Sequence, residues 1–543
     1  MALETELKLA LAASDTPLLL AHPLLAAVPR RLRLYNTYFD TPALDLLSQR
    51  IAVRERQDGH QTLLTVKTGG SVTGALAQRG EWEAPTTPGH FDFAALVANA
   101  PSLADDLQAL AANLVPVFHT DFSRRIWLLA HRGALIEVAL DRGRIHATPA
   151  GATRAVTQPL LELELELKDG PVDALFSLAR KLARAVVLRP VTDSKAQRGY
   201  ALFRHHATAP AKATPLDLQG DSSPIAAFVA IAQSGLAQLQ ANEAGMLHSD
   251  DPEYLHQARV AVRRLRAALR LFAPTLSPRF VRRWSRHWRT LGRVLGQTRD
   301  ADVFSGSTLP ELTATLPRRD AARLQRWARA HADDARAEVR RYLQGHRYPA
   351  RLLAFARELQ RLSAPSTTSL STTAASKPRP SRHRLAKAKA GTTNLKRWAR
   401  QQLRSQAKSL RRHIRSADLH DDAARHRVRI EARKLRYSLT FFSNLWPAPR
   451  IRPYANILAG VQELLGQMND RVTARALLDA AVSDQLAPVA ASVTLLRERL
   501  AAQLAHDAQR LPSVLAALSD APALWRKRTD RSQQRAAPRK KKK

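Results

Sequence analysis

The chain of 543 residues contains no cysteine, only three methionines and few aromatic residues. Without cysteine, disulfides, thiolate metal sites and cysteine nucleophiles are excluded, and a reducing compartment is expected. Asp15, Pro17 and Pro23 interrupt the first apolar stretch, which follows an acidic rather than a basic start. This pattern predicts neither an export signal nor a membrane span. We therefore expect a cytoplasmic protein.

Acidic residues are scarce in only one part of the chain. Residues 1–204 carry 23 Lys+Arg against 21 Asp+Glu, a net charge of +2. The total is +38, from 85 Lys+Arg and 47 Asp+Glu, so the remainder has 85 − 23 = 62 basic and 47 − 21 = 26 acidic residues, a net charge of +36. This asymmetry predicts two domains, the second with a polyanionic partner.

Several segments of the first part place charges at every second position. In LLELELELKDG (160–170), three glutamates alternate with leucines, and ALETELKLA, IAVRER, TLLTVK and RGEWEA repeat the pattern. On a strand, such residues share one face. An open sheet with a charged, solvated face is one interpretation. So many charges on single faces favour a closed antiparallel barrel with a polar interior. Helices are expected near 91–112 and 172–186.

The residue types on these faces indicate a chemistry. Clustered carboxylates in a confined space repel one another and take up protons unless a cation lies among them. Oxygen ligands without cysteine suit Mg²⁺ or Mn²⁺. Arginine and lysine beside them suit a phosphate chain. Metal ions and a cationic clamp together are typical of attack on a phosphoanhydride.

Glu4-Thr5-Glu6-Leu7-Lys8 fits the ExExK signature of the CYTH, or triphosphate tunnel metalloenzyme, family. The resemblance continues through YNTYFDTP, VRER, QRGEWE, TDFSRRIW, IEVALDRG, ELELE and SKAQRGY, over about residues 1–204. The sequence is most similar to bacterial inorganic triphosphatases that carry this domain first.

The resemblance implies roles for individual residues. It implies metal ligation by Glu4, Glu6, Glu162, Glu164 and Glu166. It implies catalytic roles for Lys8, Arg54, Arg56 and Lys67, with Lys8 near the attacked phosphate. Substrate-binding residues would be Arg79, Arg124, Lys195 and Arg198. The acids Glu81, Glu83 and Glu137 also face inward, either as part of the site or as partners that orient the arginines, and Arg125 stays unassigned.

The second part of the chain is duplicated. HQARVAVRRLR begins at His256 and HRVRIEARKLR at His426, and LGQTRD begins at Leu295 and LGQMND at Leu465. Both pairs are separated by 170 residues, since 426 − 256 and 465 − 295 agree. A shared offset indicates an internal repeat of several helices.

Basic residues in each repeat recur at helical spacing of three and four, which places them on one stripe. Like-charge neighbours on a helix are destabilising, so these stripes favour a polyanionic ligand over a merely solvated face. Base readout or stacking would require aromatic residues among the cations, and the stripes have hardly any. A ligand made only of phosphate therefore fits better than nucleic acid.

The pattern H-x-x-R-x-x-x-R-[RK]-L-R with LGQxxD resembles the CHAD family. That family consists of helical domains of two four-helix repeats that bind inorganic polyphosphate. The resemblance covers about residues 223–520, with Asn469 standing where the first repeat has Arg299. The two histidines could also be ordinary bundle residues. The implied polyphosphate-binding residues are His256, Arg259, Arg263, Arg266, Arg270, Arg299, His426, Arg429, Arg433 and Arg436.

We therefore predict an α+β multidomain protein, with an N-terminal closed antiparallel β-barrel (tunnel) with flanking helices and a C-terminal all-α domain of two four-helix repeats. The expected boundaries are a barrel domain at 1–204, a linker at 205–222, a helical domain at 223–520 and a basic disordered tail at 521–543. Within the helical domain, repeats at 223–362 and 395–520 would flank a disordered linker at 363–394.

We therefore hypothesise that this cytoplasmic protein hydrolyses inorganic triphosphate with Mg²⁺ or Mn²⁺. Its helical domain would anchor it on long-chain polyphosphate. Such anchoring would allow association with polyphosphate granules. Three alternatives stay open: a non-enzymatic polyphosphate-binding scaffold, an adenylate cyclase or thiamine triphosphatase, and nucleic-acid binding by the helical part. The sequence indicates no membrane partner and leaves the oligomeric state open.

Overall fold

The computed structural model describes residues 2–59, 61–149, 151–205, 209–363, 394–419, 421–483 and 489–521. The chain forms two compact units. The barrel unit consists of Met1–Lys212, Leu236–Ala258 and Arg340–Pro365, and the helical unit consists of Ala213–Gly235, Arg259–Val339 and Ser366–Lys543.

The barrel unit is built on one antiparallel sheet that closes on itself. Its ten strands are β1 (Ala2–Ala10), β2 (Arg30–Asp40), β3 (Ala52–Asp58), β4 (Gln61–Lys67), β5 (Ser71–Thr73), β6 (Leu76–Pro85), β7 (Val115–His131), β8 (Ala134–Ala147), β9 (Val156–Asp169) and β10 (Arg189–Pro190). The order β1-β9-β8-β7-β2-β3-β4-β6 ends in a pairing of β6 with β1, which closes an eight-stranded barrel. Short strands β10 and β5 pair with β1 and β6. The predicted closed barrel is confirmed.

The alternating glutamates of β9 face the lumen. Glu162 and Glu164 are buried, and so are Leu163 and Leu165 on the opposite side of the strand. Because side chains alternate along a strand, burial of both sets requires one face toward the barrel interior and one toward a surrounding core. An open sheet with its charges in solvent is thereby excluded for this strand.

Helices cover the outer surface of the barrel. Phe93–Leu96, Pro101–Leu110 and Asp173–Leu182 occupy the regions where helices were expected. Ser194 caps helix Lys195–Phe203 through a capping box, in which its side chain accepts from the backbone N–H of Gln197. That cap fixes the start of the helix and hence the position of Lys195, its first residue.

A helix from the second part of the chain belongs to the barrel unit. Arg357 of helix Arg347–Ser363 pairs with Asp173, with N···O distances of 2.5 and 2.7 Å. Arg361, one turn later, contacts the same carboxylate at 2.8 and 3.0 Å. Gly74 has φ +70°, and a Cβ there would lie 2.5 Å from the Cβ of Ala356. Glycine is therefore required where this helix meets the β5–β6 turn.

The helices of the second part reproduce the repeat seen in the sequence. The first repeat contains the long helices Pro224–Ala241, Pro252–Leu271, Pro278–Val303 and Arg318–Gln344, and the second contains Leu395–Ser416, Asp422–Phe441, Ala448–Ser483 and Ala490–Asp520. The second and third helices of the two repeats start 170 residues apart, because 422 − 252 and 448 − 278 agree.

Apolar side chains from both repeats form the core of the helical unit. Phe272 of the first repeat stacks on Trp398 of the second at 4.6 Å between ring centroids. Another core cluster joins Leu324 and Ala328 to Leu478 and Val493. Within the described ranges, no helix has the length and hydropathy that a membrane span needs.

Two predicted segments lie outside the described residues. The linker at 363–394 is described only at Ser363 and Asn394, and the tail at 521–543 only at Ala521. Of the linker at 205–222, residues 205 and 209–222 are described and contain neither helix nor strand.

Candidate functional site

A cavity of about 1160 Å³ runs through the barrel lumen and is lined by alternate residues of its strands. On β1, Glu4, Glu6 and Lys8 share the inner face. Lys67 Nζ lies 2.9 Å from Glu4 Oε1, and Arg79 Nε lies 2.7 Å from Glu4 Oε2. The Arg79 guanidinium also pairs with Glu6, and Lys8 Nζ lies 2.9 Å from Glu6 Oε1. The ExExK signature therefore forms one ion-pair network with β4 and β6.

The electrostatics of Glu4 reflect these partners. Burial raises its pKa, but the charges of Lys67 and Arg79 outweigh that effect and hold the pKa of Glu4 below its usual value. Burial lowers the pKa of Arg79, and Glu6 and Glu4 reverse that effect and raise it. The lumen therefore keeps both carboxylate and guanidinium charged.

A second network surrounds the start of helix Lys195–Phe203. Lys195 Nζ lies 2.8 Å from Asp141 and 2.9 Å from Glu164, and it also pairs with Glu162. Arg124 forms two 2.7 Å hydrogen bonds with Asp141 and a 2.6 Å bond with Glu164. All three acids are buried, and Asp141 is fully inaccessible to solvent.

The two glutamates of this network differ. Burial and repulsion from Glu164 raise the pKa of Glu162, although Lys195 opposes the shift. Burial also disfavours ionisation of Glu164, but Lys195, Arg124 and Lys8 hold its pKa well below the usual value. Arg198 extends the network, with Nη1 3.2 Å from Glu162 Oε2.

The remaining inward arginines lie on β3. Arg54 Nη2 lies 3.8 Å from Glu81 and 3.7 Å from Glu83, and Arg56 lies 3.5 Å from Glu83. Burial, followed by repulsion from Arg54, lowers the pKa of Arg56 to about 10. Glu81 also pairs with Lys67 at 2.9 Å, which connects this group to the first network.

Glu166 stands apart from the other predicted ligands. Its carboxylate lies 2.7 Å from Lys168, which also contacts Glu137 at 3.6 Å. Burial raises the pKa of Glu166, while Lys168 opposes the shift. Arg125, next to inward-facing Arg124, points to the outer face by strand alternation.

Asp141 is the site residue that sequence reasoning missed. Together with Glu162 and Glu164 it forms the one group of three acids, among the described residues, whose ligand oxygens lie within 4.8 Å of one another. Register places Asp141 opposite Glu162. Its four-residue spacing from Glu137 on β8 was a usable signal, because residues 137, 139 and 141 share one strand face.

The donor set of this group fits a hard divalent cation. The group is buried and offers only carboxylate oxygens as ligands, and the chain has no cysteine that could bind a softer metal. Lys195 and Arg124 already balance its charge in part. A phosphate chain in the lumen would give these two cations new partners and leave the carboxylates to a metal ion.

The helical unit contains a separate cluster of arginines. It is formed by Arg259, Arg263, Arg429 and Arg433, which come from the second helix of each repeat. Burial, followed by repulsion from Arg263 and Arg429, lowers the pKa of Arg433 to about 9. The packing of the two repeats thus brings four like charges together, as expected for an anion site.

The flanks of this arginine cluster differ between repeats. Arg429 donates to Asn469 at 2.9 Å, whereas Arg259 lies 3.5 Å from Asp300. The Arg263 guanidinium lies 5.8 Å from the ring centroid of Tyr437, an aromatic residue whose counterpart 170 positions earlier is Ala267. The other predicted binding residues occupy the same helices or the third helix of the first repeat: His256, Arg266, Arg270, Arg299, His426 and Arg436.

Comparison with known proteins agrees with this architecture. A model of the CYTH domain matches residues 2–200, and a model of the CHAD domain matches residues 230–479. The chain therefore belongs to the proteins that carry a CYTH domain followed by a CHAD domain, and the predicted family resemblance is confirmed.

An inorganic triphosphatase of Haemophilus influenzae is 36% identical over 177 residues, which are 32% of this chain and 47% of that protein. The match thus spans about half the length of this curated relative. A CHAD domain from the plant Ricinus communis is 32% identical, with a TM-score of 0.47 over 58% of this chain and 98% of its own. A Hippeastrum protein described as having a dominant triphosphatase activity is 17% identical, with a TM-score of 0.29 over 36% of this chain and 95% of its own.

Proposed function

We propose that the barrel hydrolyses inorganic triphosphate to pyrophosphate and phosphate with a divalent cation, Mg²⁺ or Mn²⁺. The observation that carries this proposal is the lumen itself, in which buried carboxylates and buried cations alternate around one cavity. The domain match and the name of the Haemophilus influenzae relative support the same reaction.

The chain's own cations would bind the substrate by exchanging partners. In the structure, Lys67, Arg79, Arg124 and Lys195 all pair with carboxylates. Phosphate oxygens offer equivalent acceptors in this confined cavity, where an ion pair is stronger than in bulk water. Arg54, Arg56 and Arg198 would complete the clamp. The substrate would thus be held by side chains that already lie around one cavity and change only their partners.

The released carboxylates would hold the metal. Asp141, Glu162 and Glu164 form the best-defined set, and we retain Glu4, Glu6 and Glu166 as further ligands. When bound, a divalent cation would neutralise charge on the phosphate chain and polarise its oxygens. Lys8, which is 4% exposed and 3.8 Å from Glu164, would lie beside the attacked phosphate and orient the water.

Phosphate release from triphosphate, measured with Mg²⁺ and with Mn²⁺, tests the proposal. Lys8→Met should lower the rate by about 100-fold or more, because an oriented charge at the reacting phosphate is lost. Lys181→Met removes a lysine that is exposed on helix Asp173–Leu182 and should leave the rate unchanged. No turnover by the wild-type chain, or equal rates for wild type and Lys8→Met, would refute the proposal. Thiamine triphosphate and ATP as substrates test the other triphosphatase and cyclase alternatives.

We also propose that the helical unit binds inorganic polyphosphate through the arginine cluster. Four half-buried arginines from two helices, with Asp300 paired to one of them, support an anionic ligand over a solvated surface. Such binding would anchor a cytoplasmic enzyme on polyphosphate granules. Competition distinguishes the ligand: duplex DNA should not displace labelled polyphosphate at equal phosphate concentration in moderate salt. Efficient displacement would favour nucleic acid.

A further inference from the structure

The two ends of the barrel lumen differ in charge. Because neighbouring strands are antiparallel, the turn after Asp58, the Lys168 end of β9 and the Arg30 end of β2 lie at one end. Arg50, which precedes β3, and Gly69–Gly70, which follow β4, lie at the other. We name these ends the acidic mouth (Asp58, Glu137, Glu166) and the glycine mouth (Arg50, Gly69, Gly70, Ser71).

Basic residues at the acidic mouth are already paired. Lys168 lies between Glu166 at 2.7 Å and Glu137 at 3.6 Å, and Arg30 lies 3.8 Å from Asp58. The three acids that define this mouth outnumber the bases Lys168 and Arg30, and Arg56 beside them pairs with Glu83. The wall inside it includes the apolar residues Leu63 and Ile126. A phosphate group at this position would meet these acids before it reaches Arg56, which register places opposite Leu63.

The glycine mouth has the opposite character. The four residues that define this mouth include no acid, and the exposed Asp193 lies outside the cavity lining. Arg50 is exposed and makes no ion pair with any residue that the structure describes. Its Cβ would lie 3.0 Å from a Cβ at Gly69, so its side chain starts at the rim of the cavity. Further inward, Lys67 at the end of β4 pairs with Glu4 and Glu81, so Arg50 is the unpaired cation of this mouth among the described residues.

We infer that the tunnel is directional and that its anionic phosphate chain enters at the glycine mouth, with Arg50 as the recruiting residue. This inference rests on the proposed triphosphatase function. A lumen focuses the field of the charges at its rim, so a positive mouth accelerates association with an anion and a negative mouth slows it. A polyphosphate chain longer than the cavity would accordingly protrude on the Arg50 side.

The absence of cysteine provides a direct test. Ser71→Cys at the glycine mouth and Gln61→Cys at the acidic mouth each introduce a single thiol at an exposed position of the cavity lining. Each purified full-length variant is treated with a maleimide that carries a bulky polyethylene glycol. Triphosphate hydrolysis should be lost on labelling Ser71→Cys and retained on labelling Gln61→Cys. Retained activity of labelled Ser71→Cys, or loss in both variants, would overturn the directional tunnel.

Charge reversal gives a second measurement. Arg50→Glu should lower kcat/KM for triphosphate by about tenfold at low salt, with the difference shrinking as salt screens the charge. Arg30→Glu is the matched control at the acidic mouth and should change kcat/KM little. Equal losses in both variants would contradict the inference while leaving the enzyme proposal intact. If wild type shows no hydrolysis, the enzyme proposal fails, and protection of each thiol by triphosphate still reports the mouth that it occupies.

Discussion

Lys195 Nζ lies 2.8 Å from a carboxylate oxygen of Asp141, although 54 residues separate them in the chain, since 195 − 141 = 54. Asp141 and Glu162 both raise the pKa of Lys195 and outweigh its burial. A fully charged lysine therefore occupies the position where three carboxylate oxygens converge. Under the proposed function, these carboxylates would hold the divalent cation and Lys195 would contact the phosphate chain.

Asp141→Asn should abolish most of the metal-dependent hydrolysis, because it removes one of three charged ligands from the acidic group. We expect a loss of about 100-fold or more in the rate, together with weaker Mn²⁺ binding measured by calorimetry. Asp121→Asn is the matched control, since Asp121 on β7 pairs with Arg33 at 2.6 Å on the outer face. A rate within twofold of wild type would remove Asp141 from the site.

Much of the barrel could be predicted because its information is local. Period-two charge patterns on β1 and β9 identify strands and their shared face without any tertiary knowledge. Asp141 was not predicted as a site residue because its strand shows little charge alternation. The strand, LIEVAL followed by Asp-Arg-Gly, has one earlier acid, Glu137, and an alanine between the two acids. The spacing alone was sufficient, but a turn-like Asp-Arg-Gly sequence obscured it.

Other features depend on tertiary packing and could not be predicted. Period and repeat offset identify the helices of the second part, but they do not tell which arginines meet across repeats. The approach of Arg263 to Tyr437 depends on how two helices pack. Helix Arg347–Ser363 has an ordinary amphipathic sequence, and nothing local indicates that Arg357 pairs with Asp173 of the barrel unit.

Arg433→Gln should have opposite effects on stability and on binding. Partial burial and repulsion from Arg263 and Arg429 destabilise the charged form of Arg433 and lower its pKa to about 9. Removing it should raise the free energy of unfolding by about 1 kcal/mol and weaken polyphosphate binding. Arg326→Gln, at an exposed position outside the cluster, should change neither quantity. Chemical denaturation and titration with polyphosphate measure the two effects, and tighter binding by Arg433→Gln would contradict the assignment.

Asp173→Asn should destabilise the barrel unit. Hydrogen bonds from Arg357 and Arg361 hold the pKa of Asp173 well below its usual value, and Arg357 is mostly buried. Leaving Arg357 unpaired should cost about 1–2 kcal/mol, less than for a fully buried pair because solvent reaches the Asp173 carboxylate. Urea denaturation compares the variant with Asp169→Asn, which changes an exposed acid nearby. The difference in free energy of unfolding between wild type and Asp173→Asn should be complete above pH 4 and should vanish as acid protonates Asp173. A difference that grows in acid would show that the ion pairs of Asp173 are not its cause.

Glu243 should make the barrel unit less stable as the pH rises toward neutrality. Tyr348 donates a 2.5 Å hydrogen bond to its carboxylate, and burial raises the pKa of Glu243 from 4.5 to about 7. An acid whose pKa is higher in the folded state stabilises that state below the unfolded pKa, and this contribution declines between pH 4.5 and 7. The decline amounts to about 3 kcal/mol, at about 1.4 kcal/mol for each pKa unit.

Glu243→Gln keeps a hydrogen-bond acceptor for Tyr348 but cannot ionise. Its free energy of unfolding should therefore match wild type near pH 4 and exceed it near pH 8, as measured by urea denaturation across that range. Glu338→Gln changes an exposed acid and should follow wild type at every pH. A constant difference in free energy of unfolding between Glu243→Gln and wild type would show that the carboxylate does not titrate in this pH interval. The buried carboxylate would then be stabilised by a positive charge and not by protonation.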